Sequence, residues 1–344
     1  MKRTIVIFIL LLFSGYSQSQ ENGDVRFKTE EITIPAGKFE IKGDLITPVE
    51  GGNFPVVLFC PGSGPTDRKA TIKNSKVIRK FIECGYAFFI DDKPGSGDSK
   101  GEFSGDSLLR ERAFIVTAEI DAIKKHPKIN PCKIGLYGSS QAGYVMSLVL
   151  QQRKDISFVI AVSCPAMNSI EQSAYLVKMQ ALCSGRTNDD AETLKKFYTQ
   201  RAKANTYREF REAADYLNVD PVIADLGWGY DIEESEFVQE QPDSESYINP
   251  LDGLGKIKIS ALFIFGDKDT QIDPVQGAEM FKKYLKDSGN ENFKVVTIPG
   301  VDHNMRLSKT GSLKEQNENY KKEGGAVLSP DFLKEIETWL GKIK

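Results

Sequence analysis

The chain contains few of the residues from which metal and redox sites are built. It has two histidines and five cysteines among 344 residues. The cysteines are odd in number and show no C-x-x-C spacing, so neither a metal site nor a redox pair is expected, and no cofactor is predicted. With only two histidines, any chemistry that needs an imidazole base has very few candidates.

No strong excess of either charge is present. The net charge is -3, with 27% charged and 40% hydrophobic residues. This balance gives no broad attraction to nucleic acid or to an anionic membrane surface, so neither is predicted as a partner. The composition is that of an ordinary globular protein, and it leaves the oligomeric state open.

No apolar run is long enough to span a bilayer, which takes about 20 residues. The run at residues 5–13 follows two basic residues and precedes the polar stretch SGYSQSQ, the order of a secretory signal. The first cysteine is Cys60, so a lipoprotein signal is excluded. We expect residues 1–19 to be a signal peptide cleaved after Ser19, with export to the periplasm or medium and no stable membrane insertion.

Short apolar runs alternate with longer helical patterns along the rest of the chain. Such alternation predicts an α/β fold with a doubly wound, mostly parallel sheet, and the continuous runs indicate that both sheet faces are covered. Residues 31–48 alternate with period two and predict an opening antiparallel pair. Buried strands are predicted at 56–60, 87–91, 133–137, 158–162, 261–265 and 293–298. Helices are predicted near 73–84, 107–125, 142–152, 275–288 and 330–342.

Residues 165–250 contain helical segments and no convincing buried strand. We interpret them as a helical cap inserted between two parts of the core, 20–164 and 251–344, and expect the cap to pack over the C-terminal edge of the sheet. Within the cap, residues 220–245 carry nine acidic residues and no Lys or Arg. They form either a solvated face or an acidic rim that disfavours anionic substrates.

A strand–turn–helix pattern with small residues is centred on Ser140. The strand at 133–137 runs into a G-x-S-x-G-like segment, Gly138 to Ala142, and then into a helical pattern. Such an elbow strains its central residue and lifts the side chain above the sheet edge. Ser140 is therefore the candidate nucleophile. The backbone N–H of Gln141 opens the helix and is the first candidate oxyanion donor. A glycine-rich turn without chemistry is the alternative.

A serine nucleophile needs a base, and histidine is the usual one near neutral pH. His126 ends a helical pattern before a proline, on the sheet edge opposite the elbow, and is expected to be a solvated helix terminus. His303 follows the last strand and lies on the same edge as Ser140. The chain order nucleophile, acid, histidine places the base in that loop, so His303 is the candidate.

The acid should follow the strand before it, where the segment 266–273 offers three aspartates. A buried carboxylate on the second imidazole nitrogen fixes the tautomer and stabilises the imidazolium. Asp269 is our choice. Asp267 is expected to order the turn, and Asp273, which precedes a proline, to cap the next helix.

Two loops after central strands are rich in glycine. In the first, at 60–65, the backbone N–H of Ser63 is the second candidate oxyanion donor, with Gly64 the alternative. The second, at 91–99, is interpreted as a structural turn. It lacks the spacing of a phosphate-binding loop, so a nucleotide site is not supported.

The chain resembles the bacterial carboxylesterases of the α/β-hydrolase superfamily that carry a GSGPTDR loop, which are related to serine peptidases, dienelactone hydrolases and acyl-CoA thioesterases. The resemblance runs from about residue 30 to the C-terminus. It rests on five ordered motifs: GSGPTDR (62–68), DDKPGSGDS (91–99), GSSQAG (138–143), GDKDTQID (266–273) and DHNMRLSKTG (302–311). It implies an α/β-hydrolase fold and a Ser140–Asp269–His303 triad acting on carboxylic esters.

The sequence departs from that family at three places. Lys93-Pro94 stands where the family usually shows Arg, Ser139 where it shows His or Glu, and a longer Lys- and Glu-rich loop follows the KTG segment. These departures affect substrate detail. We therefore predict a serine esterase acting on a small-molecule ester. The alternatives are a serine peptidase for short peptides, an acyl thioesterase, and a non-catalytic binding protein with the same fold.

Overall fold

The computed structural model describes residues 26–102, 108–321 and 325–343, and the predicted signal peptide lies outside these ranges. Within them the chain forms eight strands: β1 (Phe27–Ala36), β2 (Phe39–Pro48), β3 (Phe54–Cys60), β4 (Ala87–Asp91), β5 (Ile129–Ser139), β6 (Phe158–Val162), β7 (Ser260–Gly266) and β8 (Phe293–Ile298).

The eight strands make one sheet in the order β1-β2-β4-β3-β5-β6-β7-β8. β1 and β2 form an antiparallel pair, and β2 joins β4 antiparallel. All other neighbouring strands run parallel. Every residue of β4 and β6 is buried, as continuous apolar runs require when helices cover both faces. The prediction of a doubly wound, mostly parallel sheet is confirmed.

The described ranges also contain eleven α-helices: α1 (Arg68–Asn74), α2 (Lys76–Glu83), α3 (Leu108–Ile123), α4 (Ala142–Gln152), α5 (Ser169–Cys183), α6 (Asn188–Ala202), α7 (Tyr207–Asn218), α8 (Pro221–Asp225), α9 (Pro274–Asp287), α10 (Leu313–Lys321) and α11 (Pro330–Lys342). None of the helices in these ranges is both long and apolar enough to cross a membrane.

Helices cover the sheet on both faces. Successive side chains of a strand point to opposite faces, so Val56 and Leu58 enter one core and Val57 the other. The first core packs against α3, α4 and α9, the second against α2 and α11. Residues 142–150 of α4 are all buried, because the helix lies between the sheet and further elements and is apolar on every side.

Between β6 and β7 the chain is helical. Residues 165–250 contain α5 to α8 and short 3₁₀ turns, and no strand. The helices have apolar clusters of their own, one around Leu176 and Leu194 and a smaller one around Phe210. The boundaries 165 and 250 of a cap domain remain a prediction.

Several acidic residues of the 220–245 segment have structural partners. Asp220 caps α8 and pairs with Arg186 at 2.7 Å. Glu245 accepts hydrogen bonds from the backbone N–H groups of Leu109 at 2.8 Å and Arg110 at 2.7 Å, which open α3. Carboxylates are favourable at helix N-termini. The acidic run therefore supplies caps, one of which ties the inserted segment to a core helix.

Three local expectations were wrong. The helix expected at 73–84 is two helices, because Ser75 ends α1 and caps α2 by accepting the Ile78 N–H. Strand β8 was expected to be buried, but it is the outer strand of the sheet and Lys294 is exposed. The segment after KTG, expected to be a loop, forms helix α10.

Candidate active site

Ser140 occupies the turn between β5 and α4. Its φ of 57° lies in the left-handed region, which costs a residue with a side chain about 1–2 kcal/mol. Its backbone N–H donates to Val162 O at 3.0 Å, which holds the strained turn against β6. This is the geometry of a nucleophile elbow. The Ser140 side chain is half-buried. Gln141 is the N-cap residue of α4, so its backbone N–H lies at the N-terminus of that helix.

Two glycines let the backbone segments of the elbow approach each other. A Cβ on Gly138 would lie 2.7 Å from the Ala142 Cβ and 2.8 Å from Cys60 O, too close for any larger residue. A Cβ on Gly62 would lie 3.4 Å from the Ser140 Cβ. The glycine-rich loop after β3, which contains Ser63, therefore lies directly against the elbow.

His303 and Asp269 are joined by a hydrogen bond of 2.8 Å between Nδ1 and Oδ2. Both side chains are buried, with 5% and 2% of their surface exposed. The second carboxylate oxygen of Asp269 accepts the backbone N–H groups of Gln271 at 2.8 Å and Ile272 at 2.9 Å. With Oδ1 held by these two donors, Oδ2 is fixed toward the imidazole.

The pKa of His303 is the result of opposing influences. Burial lowers it, but the charge and hydrogen bond of Asp269, with a smaller contribution from Asp302, outweigh burial and raise the pKa above the usual value. A neutral imidazole with its Nδ1–H directed at Asp269 leaves Nε2 free to accept a proton. The pair therefore has the arrangement of a general base and its orienting acid.

Hydrogen bonds hold the loop that carries His303, both from within the loop and from the end of β6. The Asp302 carboxylate accepts the backbone N–H groups of Asn304 at 2.9 Å and Arg306 at 3.0 Å. Ser163, which follows β6, donates its hydroxyl to His303 O at 2.9 Å. These contacts fix both the shape of the loop and its position above β6.

The Ser163 contact also relates His303 to Ser140. The loop follows β8, two strands away from β6 in the sheet, yet it reaches back to the end of β6. β6 is the direct neighbour of β5, the strand that leads into Ser140, and neighbouring strands lie about 5 Å apart. The structure thus brings Ser140, Asp269 and His303 to one edge of the sheet.

The other candidates named from the sequence have structural roles. Asp273 caps α9 through Val275 N and Gln276 N, as predicted. Asp267 accepts the Gly300 N–H at 2.6 Å and orders the turn between strand and loop. His126 follows α3, with its Nε2 3.3 Å from a Glu30 oxygen.

None of the five cysteines forms a disulfide, and Cys60 and Cys164 are fully buried. In the described part of the chain, His, Cys, Asp and Glu side chains form no group of three or more suited to a metal ion.

Helix α5 contacts the loop that carries Asp269. The Tyr175 hydroxyl donates to Asp269 O at 3.2 Å, and Gln172 Nε2 donates to Gln271 O at 2.8 Å. Gln180 Nε2 donates to the Thr270 hydroxyl at 3.0 Å. These contacts could not be predicted from the sequence, because a polar side chain on a helix gives no sign of which loop it will face.

The roles of two buried basic side chains were also not predicted. Lys93, in the turn interpreted as structural, donates to Gly62 O at 2.5 Å and to Gly64 O. Arg112, on α3, donates to the Gln141 side chain at 2.7 Å and to Pro61 O. Lys93 stood out in the sequence only as a departure from the family, and its position two residues after a buried strand did not indicate which carbonyls it would bind.

The sheet order, the strained elbow and the buried acid–histidine pair define an α/β-hydrolase. Residues 37–300 match the model of the S15 peptidase family, described as X-Pro dipeptidyl-peptidase. That match covers well over half of the chain. The chain belongs to the S15 family.

Individual relatives are more distant. The chain is 24% identical to Esterase EstD of Thermotoga maritima over 329 residues, covering 92% of this chain and 68% of that protein. Among solved structures, it is similar to the Pyrococcus furiosus esterase Pf2001, with a TM-score of 0.54, 16% identity and 95% of each chain covered. The Pyrococcus horikoshii acylaminoacyl peptidase matches with a TM-score of 0.53 and 18% identity, over 90% of this chain and 41% of that one. These likenesses confirm the fold.

Proposed function

We propose that the protein is a serine carboxylesterase with Ser140 as nucleophile, His303 as general base and Asp269 as orienting acid. The observation that carries the proposal is the 2.8 Å bond between His303 Nδ1 and Asp269 Oδ2, buried at the sheet edge where the strained elbow presents Ser140. Catalytic triads occur on unrelated folds, and a triad is recognised by the geometry and the roles of its three residues.

The reaction proceeds by acyl transfer. Ser140 Oγ attacks the ester carbonyl carbon while His303 Nε2 takes the hydroxyl proton. The tetrahedral oxyanion is held by the backbone N–H groups of Gln141 and Ser63. Collapse expels the alcohol, which takes the proton from His303 and leaves an acyl-enzyme. Water then attacks with His303 again as base, and the carboxylic acid is released as Ser140 regains its proton.

Ester cleavage is favoured by the extent of the likenesses. The two esterases match over most of their own lengths, whereas the acylaminoacyl peptidase matches over 41% of its chain. The family description favours the second candidate, a peptidase that acts on short peptides with proline. Both candidates use the same triad, so the leaving group is what distinguishes them.

The test compares matched substrates. We expect kcat/KM for p-nitrophenyl esters of varied acyl length to exceed kcat/KM for the p-nitroanilides of the same acyl groups. Dipeptidyl X-Pro p-nitroanilides test the peptidase directly, and faster turnover of these than of every ester would replace the proposal.

A fluorophosphonate probe tests catalytic competence independently of the substrate. We expect it to label the wild type at Ser140 and to leave Ser140→Ala unlabelled. An unlabelled wild type would identify a binding protein with a hydrolase fold. The loss of turnover in Ser140→Ala should be about 10⁶-fold if the triad acts as a unit.

We further propose that the protein is exported after cleavage of residues 1–19. Support comes from the basic, apolar and polar order of that segment. Intact mass of the protein recovered from periplasm and medium is the test. We expect a mature chain that begins at Gln20, and a full-length protein confined to the cytoplasm would contradict export.

A further inference from the structure

The loop that lies against the elbow is held from the interior of the protein by two buried basic side chains. Lys93 is 2% exposed, and its Nζ donates to the carbonyls of Gly62 and Gly64. Arg112 is 5% exposed, and its guanidinium donates to the carbonyl of Pro61. Three of four successive carbonyls between 61 and 64 are therefore directed inward.

The direction of each of these carbonyls also fixes the direction of the N–H group in the same peptide unit. In a trans peptide the C=O of one residue and the N–H of the next point in opposite directions, and the structure contains no cis peptide bonds in its described ranges. Because Lys93 holds Gly62 C=O toward the interior, the N–H of Ser63 must point away from it. Lys93 thus sets the direction of one of the two candidate oxyanion donors.

Arg112 links this loop to the other donor. One guanidinium nitrogen donates to Pro61 O, and the other donates to the Gln141 side chain at 2.7 Å. Gln141 is the residue whose backbone N–H opens α4 beside Ser140. A single planar group thereby spans the two backbone segments on which the oxyanion donors lie, and a guanidinium has the fixed fork geometry that such a span needs.

Burying these two basic side chains costs free energy of folding. Burial and the nearby Arg112 charge hold the pKa of Lys93 well below its usual value, against the opposing effect of Asp91. Burial lowers the pKa of Arg112 to about 10. Buried charges destabilise a fold unless they are well paired.

We propose that Lys93 and Arg112 are positioning residues of the oxyanion hole, with Lys93 orienting the Ser63 N–H and Arg112 fixing the separation between the Ser63 loop and Gln141. The inference rests on the proposed ester hydrolysis. Neither side chain touches the substrate in this scheme. Both act through the backbone, so their effect should fall on the transition state rather than on substrate binding.

The test is Lys93→Met, which keeps the apolar stem and removes the donors. We expect kcat on the best p-nitrophenyl ester to fall about 10²-fold, the low end for loss of an oxyanion donor, with KM changed less than threefold. Affinity for an aryl trifluoromethyl ketone, which forms an oxyanion at the enzyme, should fall by the same factor as kcat/KM. Inhibition by the product carboxylic acid should be unchanged.

Three further variants accompany it. Lys93→Gln retains an amide that can donate to one carbonyl, so we expect a loss of about tenfold in kcat, and it serves if Lys93→Met does not fold. Arg112→Met should lower kcat and trifluoromethyl ketone affinity by the same factor, because it removes the donors to Pro61 O and the Gln141 side chain. Arg153→Met is its matched control. Arg153 donates to Thr117 O and pairs with Asp121, so it joins the same helices, α3 and α4, far from the elbow. We expect it to lower the Tm and leave kcat unchanged.

The outcomes separate the two hypotheses. A wild type that turns over no ester refutes the proposed function. An active wild type together with a folded Lys93 variant that keeps kcat within threefold refutes the positioning role. The role is also refuted if kcat falls while trifluoromethyl ketone affinity stays at the wild-type value, or if Arg153→Met loses kcat to the same extent.

Discussion

Replacing Asp269 by Asn should convert the candidate base into its inactive tautomer. Oδ1 of Asp269 accepts two backbone N–H groups, from Gln271 and Ile272, so the Asn oxygen must stay at that position. An amide NH₂ there would face two other donors. The NH₂ group therefore takes the place of Oδ2, 2.8 Å from His303 Nδ1, and donates to it.

The consequence for His303 follows from its two nitrogens. With Nδ1 accepting, the neutral imidazole carries its proton on Nε2 and cannot take the proton of Ser140. The equivalent change in another serine hydrolase lowers kcat by about 10⁴-fold. We expect a loss of that size in Asp269→Asn. The Tm should change little, because the backbone donors keep their acceptor.

The assay is kcat/KM for a p-nitrophenyl ester between pH 5 and pH 9. Wild-type activity should rise with pH as His303 loses its proton, with a midpoint above 6.5, because the effects of Asp269 and Asp302 exceed that of burial. The residual activity of Asp269→Asn should show a lower midpoint, because the carboxylate no longer favours the imidazolium.

Asp267→Asn is the control. Its side chain is 37% exposed and accepts the Gly300 N–H, which Asn can also accept, while its ion pair with Lys268, at 3.9 Å, lies at the surface. We expect activity within a few fold of wild type. The reasoning would be refuted if Asp267→Asn lost most of the activity while Asp269→Asn kept more than a tenth.

Three other predictions concern stability. Ser140→Gly should be inactive, yet its free energy of unfolding in urea should exceed that of Ser140→Ala by about 1 kcal/mol, because glycine tolerates the φ of 57°. Equal stabilities would show that the elbow stores no strain. Glu245→Ala should cost about 0.5–2 kcal/mol by removing the cap on α3, and an unchanged Tm would contradict this. Backbone N–H groups of Lys309 and Thr310 overcome the effect of burial and hold the pKa of Glu315 at about 2, so Glu315→Gln should lower the Tm at pH 7. Since the native pKa is depressed, that difference should shrink as pH falls from about 4.5 and disappear near pH 2.

The main elements of the sheet could be predicted because their residues face apolar surroundings on both sides. The bounds of β4, β6, α4 and α11 agree with the predicted segments 87–91, 158–162, 142–152 and 330–342. Edge position could not be predicted. FKVVTI of β8 is apolar enough for a buried strand, and only the order of strands in the sheet reveals that β8 lies at its edge.

For the candidate site, the sequence indicated the catalytic candidates, which follow the ends of strands. It did not indicate the side chains that hold their loops in place. Asp269 was chosen among three aspartates by its place in the loop, and it is the one bonded to His303. Ser163 and Arg112 were missed. Ser163 reaches the histidine loop across a strand, and Arg112 lies in a helix whose orientation depends on packing. Long-range contacts of this kind leave no local pattern.

The contacts of α5 with the loop that carries Asp269 limit how the inserted region can be exchanged in protein engineering. Gln172, Tyr175 and Gln180 bind the segment 269–271 that presents the carboxylate. A chimaera that receives the α5–α8 region of a relative in order to change selectivity would also lose these three tethers. Retaining the three side chains in the transplanted helix is therefore the minimum requirement for such a graft to preserve turnover.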